Sequence, residues 1–372
     1  MKRHAWILVL VLLFLAPGLA SAANHYVRAG ATGSGNGSDW ANAYTELPSK
    51  HSMVRGDTYY IADGTYPPYD FETPTSGSQY ITIKKATGSD HGTNTGWNSS
   101  YGDGQAVFTS SGSVLSFETD YWIFDGATGS GNSGHGFKVQ VTGTGSSVRG
   151  IRLTAGHVTI AHTEVTSTNP AGVSSSDKQD GIYSTSGSGY ITVRDCYIHE
   201  WKRCGLLFSG ISNCMVENNY FYHTYSTSGS HGQAVQLGPG ACSNITFRNN
   251  VFKDCHGTGF IVYLDNTHNN IDTYGNIFWS TEPAAIGISY TSQAVGTTSG
   301  DTAIDCDVYN NTFYGLTGRA ASGMIDHNGG GSGNHAYNNL WYRSNVSFDS
   351  ATIHDYNASD DTLGESHGQV LS

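Results

Sequence analysis

The strongest constraint on the fold of this chain is a short template that recurs six times in its second half. Each copy alternates apolar and polar residues and is rich in β-branched and aromatic side chains, which predicts a β-strand. Counting a weaker copy at 158–168, successive copies begin 23 to 35 residues apart. Repeats of this length predict a solenoid, because each unit buries its apolar side against its neighbours. The full copies are ITVRDCYIHEW (191–201), CMVENNYFYHT (214–224), ITFRNNVFKDC (245–255), IDTYGNIFWST (271–281), CDVYNNTFYGL (306–316) and NHAYNNLWYRS (334–344).

Two columns of the template predict that the copies stack directly on one another. The sixth position is asparagine in every full copy except the first, which has Cys196. Strands in neighbouring coils lie about 4.8 Å apart, so amides at that spacing can hydrogen bond in a ladder. Asparagine also tolerates a left-handed backbone, so we expect this position at a tight corner. The eighth position is always apolar and suits the interior. The asparagines are Asn219, Asn250, Asn276, Asn311 and Asn339, and the apolar column is Ile198, Phe221, Phe252, Phe278, Phe313 and Trp341.

A second series of short apolar segments precedes the template copies, so each coil is expected to hold at least two strands. The segments are GIYS (181–184), GLLF (205–208), AVQL (234–237), GFIVYL (259–264), AIGIS (285–289) and GMID (323–326). With the stretches NHYVRAGATGSGNGSDWANAY (24–44), RGDTYYIADGTY (55–66) and YITIKKATGSDHGTNTGW (80–97), this pattern resembles secreted bacterial right-handed β-helix repeat proteins of the pectate-lyase-like superfamily. The resemblance covers most of residues 24–345. It implies an all-β, single-stranded right-handed parallel β-helix with an N-terminal cap. Because that superfamily includes lyases, hydrolases, epimerases and adhesins, the fold alone does not fix an activity.

The ends of the chain predict export and capping. Residues 1–22 have a basic start, an apolar run and a small-residue Ala20-Ser21-Ala22 end, which predicts a signal peptide and a secreted, periplasmic or cell-surface protein. No later stretch is apolar enough to predict a membrane span. We expect a cap over 23–52, the solenoid over 53–345 and a tail over 346–372. That tail is expected either to cover the end of the solenoid or to mark a truncated sequence.

The net charge of the chain limits the binding partners that we expect, and the cysteine pattern limits its metal chemistry. The net charge is −12, and removal of Lys2 and Arg3 with the signal peptide makes it −14. Such an acidic chain is not expected to bind nucleic acid, and an anionic polymer would need a local basic patch or bound cations. We expect a monomer that binds polysaccharide. The six cysteines contain no CxxC pair, and the sequence does not determine which of them form disulfide bonds. Most of them suit the core as small side chains.

Candidate site residues concentrate between about residues 177 and 257, on successive coils. Ligands of parallel β-helices usually lie along one strand face and its bordering loops, so residues from adjacent coils are expected to converge. We expect catalytic roles for Lys178, Arg203, His231 and His256, and substrate binding by Lys202, His223 and Gln233. Asp180, Glu200 and Asp254 can supply the hard oxygen ligands that Ca²⁺ prefers.

The leading interpretation is a polysaccharide lyase that acts by β-elimination on a uronate-containing glycan. In that reaction a base removes the proton next to the uronate carboxylate, and a cation or hydrogen-bond donor stabilises the resulting charge. Lys178 and Arg203 lie 25 residues apart, about one coil. That spacing resembles the Lys/Arg pairing of alginate and chondroitin lyases with this fold, although the acidic calcium-ligand pattern that those families place shortly before the lysine is absent.

Three other interpretations use different features. Asp180, Glu200 and Asp254 supply enough carboxylates for a glycoside hydrolase, but the polygalacturonase set is absent, and we interpret Gly134-His135-Gly136 as a turn. The main alternative is a non-catalytic adhesive module that presents loops to a glycan. An ice-binding face would need a regular threonine column, which the irregular second template position does not provide.

Overall fold

The solenoid consists of three parallel β-sheets that run along its whole length. The structure is a computed structural model, and it describes residues 22–170, 178–185, 187–225, 232–255, 259–281, 293–297, 301–316, 323–325, 331–344, 346–348 and 352–371. All strand pairings between coils are parallel, and a complete coil contributes one strand each to sheets I, II and III in that order. The expected all-β parallel solenoid is therefore confirmed.

The strands are grouped by the sheet to which they belong. Sheet I contains β1 (Asn24–Val27), β2 (Thr58–Ile61), β5 (Ile81–Lys85), β8 (Trp122–Asp125), β11 (Val158–Ala161), β14 (Thr192–Arg194), β17 (Ser212–Glu217), β20 (Ser243–Arg248), β23 (Thr267–Tyr274), β26 (Thr302–Ile304), β27 (Asp307–Tyr309), β30 (Asn334–Tyr337) and β33 (Thr352–Asp355). Sheet II contains β3 (Gly64–Tyr66), β6 (Ala106–Ser110), β9 (Phe137–Val141), β12 (Thr163–Ser167), β15 (Tyr197–Trp201), β18 (Tyr220–Thr224), β21 (Val251–Lys253), β24 (Ile277–Trp279), β28 (Thr312–Tyr314), β31 (Leu340–Tyr342), β34 (Ala358–Ser359) and β35 (Gln369–Val370). Sheet III contains β4 (Tyr69–Phe71), β7 (Leu115–Phe117), β10 (Arg149–Leu153), β13 (Asp180–Ser184), β16 (Cys204–Phe208), β19 (Val235–Leu237), β22 (Gly259–Tyr263), β25 (Gln293–Thr297), β29 (Gly323–Ile325) and β32 (Ser347–Phe348). One 3₁₀ turn, Ser99–Tyr101, lies between β5 and β6.

Each template copy forms two strands, which corrects the expectation of one. In the copy at 214–224, the chain leaves β17 in sheet I, turns at Asn218 and Asn219, and enters β18 in sheet II. The left-handed residue is Asn218, with a φ of 57°, and equivalent residues such as Asn249 (55°) also have positive φ. The left-handed conformation therefore belongs to the fifth template position rather than to the sixth. The reason is that the fifth residue makes the bend, whereas the sixth turns its side chain into the interior.

The buried asparagines at the sixth position are linked from coil to coil. Asn250 is typical: its Oδ1 accepts hydrogen bonds from the backbone N–H of Asn219 at 2.9 Å and from Asn219 Nδ2 at 3.0 Å. Its own Nδ2 donates to the Val216 carbonyl at 2.9 Å and to Asn276 Oδ1 at 3.0 Å. Each amide thus satisfies buried backbone groups at the bend, which would otherwise be costly to bury.

The apolar column of the template forms the centre of the core, as expected. Phe221, Phe252, Phe278 and Phe313 stack in series with ring centroids 4.7 to 4.9 Å apart, and Trp341 continues the stack at 4.8 Å. All five side chains have no exposed surface. The centroid spacing is close to the distance between coils, so the column holds the coils in register.

The two ends extend the solenoid. At the N-terminal end β1 adds a strand to sheet I, and Trp40 centres a small separate apolar cluster. At the C-terminal end the coils continue past residue 345, where the sequence pattern was expected to end: Asn357 adds to the asparagine series, and its Nδ2 donates to Glu365 at 2.7 Å. Residues 1–21, which hold most of the expected signal peptide, and the expected strand at 285–289 lie outside the described residues. Among the residues that are described, no helix has the length and apolarity needed to cross a membrane.

Candidate functional site

A cleft of about 410 Å³ opens on the outward surface of sheet III, where Lys178 and Arg203 from neighbouring coils meet. We call it the sheet III cleft. It is lined by Arg149, Lys178, Tyr183, Arg203, Leu207, Gln236, Pro239, Leu264 and Asp265. Three of these residues are cationic and one is acidic, so the cleft is a basic patch on an acidic protein.

Three successive strands of sheet III begin with the same kind of triplet, in which glycine is the second residue and an apolar residue is the third. The triplets are Arg149-Gly150-Ile151, Asp180-Gly181-Ile182 and Cys204-Gly205-Leu206. The strand register places Asp180 between Arg149 and Cys204. A Cβ on Gly181 would lie 2.4 Å from the Gly205 carbonyl oxygen, so only glycine fits here. The glycines let the coils pack closely while the first residue of each triplet stays in register.

A buried carboxylate fixes the two arginines of the cleft. Asp180 has no exposed surface, and Arg149 forms an ion pair with it, with Nε 2.9 Å from Oδ2. Arg203 binds both oxygens: Nε donates to Oδ1 at 2.6 Å, and Nη2 donates to Oδ2. Burial alone would lower the pKa of Arg203, but the hydrogen bonds and charge of Asp180 outweigh it and raise that pKa. Arg203 therefore remains a cation, suited to stabilising negative charge rather than to removing a proton.

Lys178 differs from the two arginines because no carboxylate of the described residues holds its side chain in place. Its carbonyl accepts a hydrogen bond from Arg149 Nη1 at 2.9 Å, while the exposed side chain forms no ion pair within the described part of the chain. The Arg149 guanidinium also packs over the Tyr183 ring, 4.5 Å from its centroid. The cleft thus combines two oriented guanidinium groups, one lysine side chain without an ion pair among the described residues, and one aromatic side chain.

The three carboxylates expected to hold calcium lie apart, and each has other partners. Asp180 binds the arginines, while Glu200 at the end of β15 accepts from His223 Nδ1 at 3.0 Å and from the Tyr225 hydroxyl at 2.7 Å. Burial raises the pKa of Glu200, but these two hydrogen bonds outweigh it, so the net pKa is lowered. Asp254 accepts one hydrogen bond from the Thr281 backbone N–H at 2.7 Å and another from the Thr281 hydroxyl at 2.8 Å. Within the described ranges no group of three or more His, Cys, Asp or Glu side chains could hold a metal ion, so these carboxylates do not fit the expected calcium site.

Of the remaining expected residues, Lys202, His223 and Gln233 lie around the corner between sheets II and III. Lys202 is 3% exposed, and burial lowers its pKa. Gln233 is fully buried and donates to Gln236 Oε1 at 3.2 Å, so Gln236 rather than Gln233 lines the cleft. His223 is bound to Glu200. His231 and His256 lie outside the described residues.

Sequence reasoning missed Arg149 and Tyr183 as cleft residues. A signal for Arg149 was present, because RGIRL (149–153) has the same polar-glycine-apolar start as the segments at 181 and 205. Extending the second strand series back by one coil would have placed Arg149 against Asp180. Tyr183 carried no comparable signal, since nothing in the sequence shows which aromatic side chain lies under a guanidinium.

Three parallel sheets, interior side-chain stacks and an outward cleft across several coils define a parallel β-helix. A family model for the right-handed beta helix region matches residues 113–313, more than half of the chain. The chain belongs to this family of right-handed β-helix proteins.

Solved structures with the same fold share little sequence with this chain. The GH136 lacto-N-biosidase from Eubacterium ramulus matches with a TM-score of 0.57 and 10% identity, over 94% of this chain and 68% of that chain. The alginate lyase from Paenibacillus sp. str. FPU-7 matches with a TM-score of 0.41 and 16% identity, over 82% and 95%. The PL6 family polysaccharide lyase Pedsa3628 from Pseudopedobacter saltans matches with a TM-score of 0.44 and 13% identity, over 86% and 91%. At 10% identity the similarity to the lacto-N-biosidase shows the fold only. No curated protein sequence matches this chain.

Proposed function

We propose that this protein is an extracellular enzyme that binds a uronate-containing polysaccharide in the sheet III cleft and cleaves it by β-elimination. The observation that carries the proposal is the convergence of Arg149, Lys178 and Arg203 in one cleft. Because the chain has a net charge of −12, an anionic polymer needs such a local basic site to approach. The proposed export rests on the sequence of residues 1–22.

The roles follow from how each side chain is held. Arg149 and Arg203 are oriented by Asp180 and stay charged, so they suit the uronate carboxylate and the negative charge that develops on it. We assign Lys178, the cleft cation without an ion-pair partner among the described residues, as the base, which must first lose its own proton to solvent. The base takes the proton from C5 of the sugar, the electron pair forms the C4–C5 double bond, and the C4–O bond breaks. The departing glycosidic oxygen then takes a proton from water in the open cleft.

No step of this mechanism is assigned to a metal. Calcium was expected from the sequence at Asp180, Glu200 and Asp254, but these carboxylates belong to different elements and form no shared metal-holding group among the described residues. The proposed chemistry therefore uses only the side chains of the cleft. A chelator is expected to leave the rate unchanged.

The test is a product assay with matched variants. Polygalacturonate, alginate, chondroitin sulfate and hyaluronan are each incubated with the full protein, and unsaturated uronate products are measured by ultraviolet absorbance. Lys178→Ala is expected to lower turnover by about 100-fold or more, the usual size of a lost general base. Arg152→Ala is the matched control, since Arg152 is an exposed cation of the same strand as Arg149 but does not line the cleft.

Each outcome of the product assay either supports or rejects the proposed function. Product formation that Lys178→Ala abolishes and Arg152→Ala leaves intact supports it. Binding of an anionic glycan without any product rejects the enzyme and favours the adhesive module. Neither binding nor product from any of the four polymers rejects the cleft as an anionic-glycan site.

A further inference from the structure

A second pocket, of about 440 Å³, lies at the corner between sheets I and II. Its walls are the loop between β5 and β6 and the loop between β8 and β9, and Glu164 of β12 lies at its base. Gln105 and His135 also line it. The pocket uses none of the residues that line the sheet III cleft.

Glu164 is held as a carboxylate by three side chains from different coils. Its Oε1 lies 2.9 Å from Lys138 Nζ and 3.2 Å from His199 Nε2, and its Oε2 accepts from Gln105 Nε2 at 3.1 Å. Burial raises the pKa of Glu164, but these hydrogen bonds outweigh it and lower that pKa to about 2. The group is therefore a fixed anion whose position is determined by its neighbours.

The other polar atoms of the pocket are mainly acceptors. Gln105 Nε2 also donates to the His135 carbonyl at 2.9 Å, which leaves the amide oxygen of Gln105 without a partner among the described residues. His135 is 2% exposed, and its Nε2 lies 3.1 Å from the Asp195 carbonyl, so Nε2 must donate. Burial lowers the pKa of His135, which keeps the ring neutral and leaves Nδ1 as an acceptor. An acceptor-rich pocket matches a ligand that presents several hydroxyl donors.

The charges of the pocket argue against an anionic ligand. The ammonium of Lys85 is 2.6 Å from Asp63 Oδ1 and 2.6 Å from the Ala86 carbonyl, so it is already neutralised. Lys138 is paired with Glu164, and the exposed Asp103 lies at the rim. A uronate carboxylate would meet two carboxylates there and no unpaired cation among the lining residues.

Aromatic side chains continue from the pocket along the outward face of sheet II. The register places Tyr197 directly after Glu164 and Tyr220 after Tyr197, one per coil. Tyr197 stacks on His199 with centroids 3.9 Å apart and meets Tyr220 edge-on at 5.7 Å, and both tyrosines are partly exposed. Tyrosine combines an apolar ring face, against which the C–H face of a sugar can pack, with a hydroxyl that hydrogen bonds.

We propose that this pocket is a second saccharide site, which takes an uncharged sugar ring against Glu164, Gln105 and His135 and lets the glycan continue over Tyr197. Its ligand class is a neutral oligosaccharide, in contrast to the anionic polymer proposed for the sheet III cleft. The polar groups fix the hydroxyls of one ring, and the tyrosines support the following ring. The two sites are expected to prefer ligands of different charge. The cations of the sheet III cleft can contact a ligand, whereas the lysines at this pocket are already paired with carboxylates.

The experiment measures binding of five neutral hexasaccharides to the full protein by isothermal titration calorimetry. The probes are the cello-, laminari-, manno- and xylo-hexaoses and N-acetyl-chitohexaose. Tyr197→Ala and Glu164→Gln are expected to weaken the binding by about tenfold or more, because each removes a main contact. Two matched controls are used. Tyr337→Ala removes a tyrosine of sheet I, and Glu118→Gln changes an exposed glutamate that directly follows β7. Gln105→Ala provides a third variant if loss of the Glu164 ion pairs prevents folding.

The result also separates this site from the proposed lyase site. Binding of at least one neutral probe that the sheet II variants weaken, and that Lys178→Ala and the controls leave unchanged, supports the proposal whether or not lyase products form. No binding of any probe at millimolar concentration overturns it. Wild-type binding by both Tyr197→Ala and Gln105→Ala overturns it as well, and so does a preference of this pocket for oligogalacturonate.

Discussion

Asp180 is fully buried, yet both of its carboxylate oxygens bind Arg203 from the following coil. The same carboxylate also binds Arg149 from the preceding coil at 2.9 Å. A single acidic side chain thus links three coils and holds two guanidinium groups at the wall of the sheet III cleft. Asp180 is therefore a positioning residue, and its loss would disturb both the fold and the basic cleft.

Replacing Asp180 by alanine is expected to lower the free energy of unfolding by roughly 3 to 5 kcal/mol, because two guanidinium groups lose their buried counter-charge. Urea denaturation followed by circular dichroism measures the change. Asp265→Asn is the control, since Asp265 lines the same cleft but is exposed and asparagine keeps its left-handed backbone, and it is expected to change stability by less than about 0.5 kcal/mol. Equal effects of the two substitutions would contradict the structural role of Asp180.

The fold could be predicted from the sequence because stacking repeats the same side chain in each coil. The column from Phe221 to Trp341 was visible as a pattern and forms one continuous stack. The division of each template copy into two strands was not visible, because Asn218 and Asn219 are the same residue type and only the backbone shows which one bends. The last coil was not visible in the sequence because Ser359 stands where the earlier copies have a large apolar residue.

The candidate site was predicted only in part, because the role of a charged side chain depends on which residue of a neighbouring coil it contacts. The spacing of Lys178 and Arg203 predicted that they lie together, and both line one cleft. The same reasoning could not show that Asp180 binds arginine or that Glu200 binds His223, since both contacts depend on the strand register. The proposed roles of His231 and His256 stay predictions.

Replacing Asn250 by alanine is expected to lower the free energy of unfolding by about 3 kcal/mol. The amide makes four hydrogen bonds to buried groups, and its removal leaves the Asn219 N–H and the Val216 carbonyl unsatisfied. Equilibrium denaturation measures the effect. The comparison variant is Asn244→Gly, which removes an exposed amide that hydrogen bonds to Asn213 but preserves its positive φ of 54°. A loss as small as in this comparison variant would show that the buried amides do not hold the coils together.

The left-handed bend makes a separate prediction at Asn249. With a φ of 55°, this position is expected to accept glycine with little change, whereas valine should lower the free energy of unfolding by about 1 to 2 kcal/mol because its Cβ branches clash. The two variants remove the same amide, so their difference isolates the backbone conformation. Equal stabilities of Asn249→Gly and Asn249→Val would argue against a left-handed residue at the fifth template position.

The six cysteines are all buried and unpaired in the structure. Burial raises the pKa of the Cys196, Cys255 and Cys306 thiols to about 12, so the reactive thiolate is scarce at neutral pH. The folded protein is therefore expected to react slowly with a thiol reagent, and all six thiols should react after denaturation. Mass spectrometry of alkylated, unreduced protein is the complementary measurement, and detection of any disulfide-linked peptide would contradict the arrangement.

The Glu164 cluster predicts how stability changes in acid. The pKa of Glu164 falls from an ordinary 4.5 to about 2 in the folded state, so its ion pairs stabilise the fold above about pH 4.5, and this contribution is lost as the pH falls towards 2. The lowered pKa corresponds to about 3 kcal/mol. The stability difference between the wild type and Glu164→Gln should therefore shrink by about that amount between neutral pH and pH 2, measured by urea unfolding at a series of pH values.

Glu118→Gln controls for a generic carboxylate, because Glu118 is an exposed residue whose nearest cation, Arg152, is 4.0 Å away. A wild-type advantage that stays constant across this range would mean that Lys138 and His199 do not hold Glu164 as an anion in the folded protein.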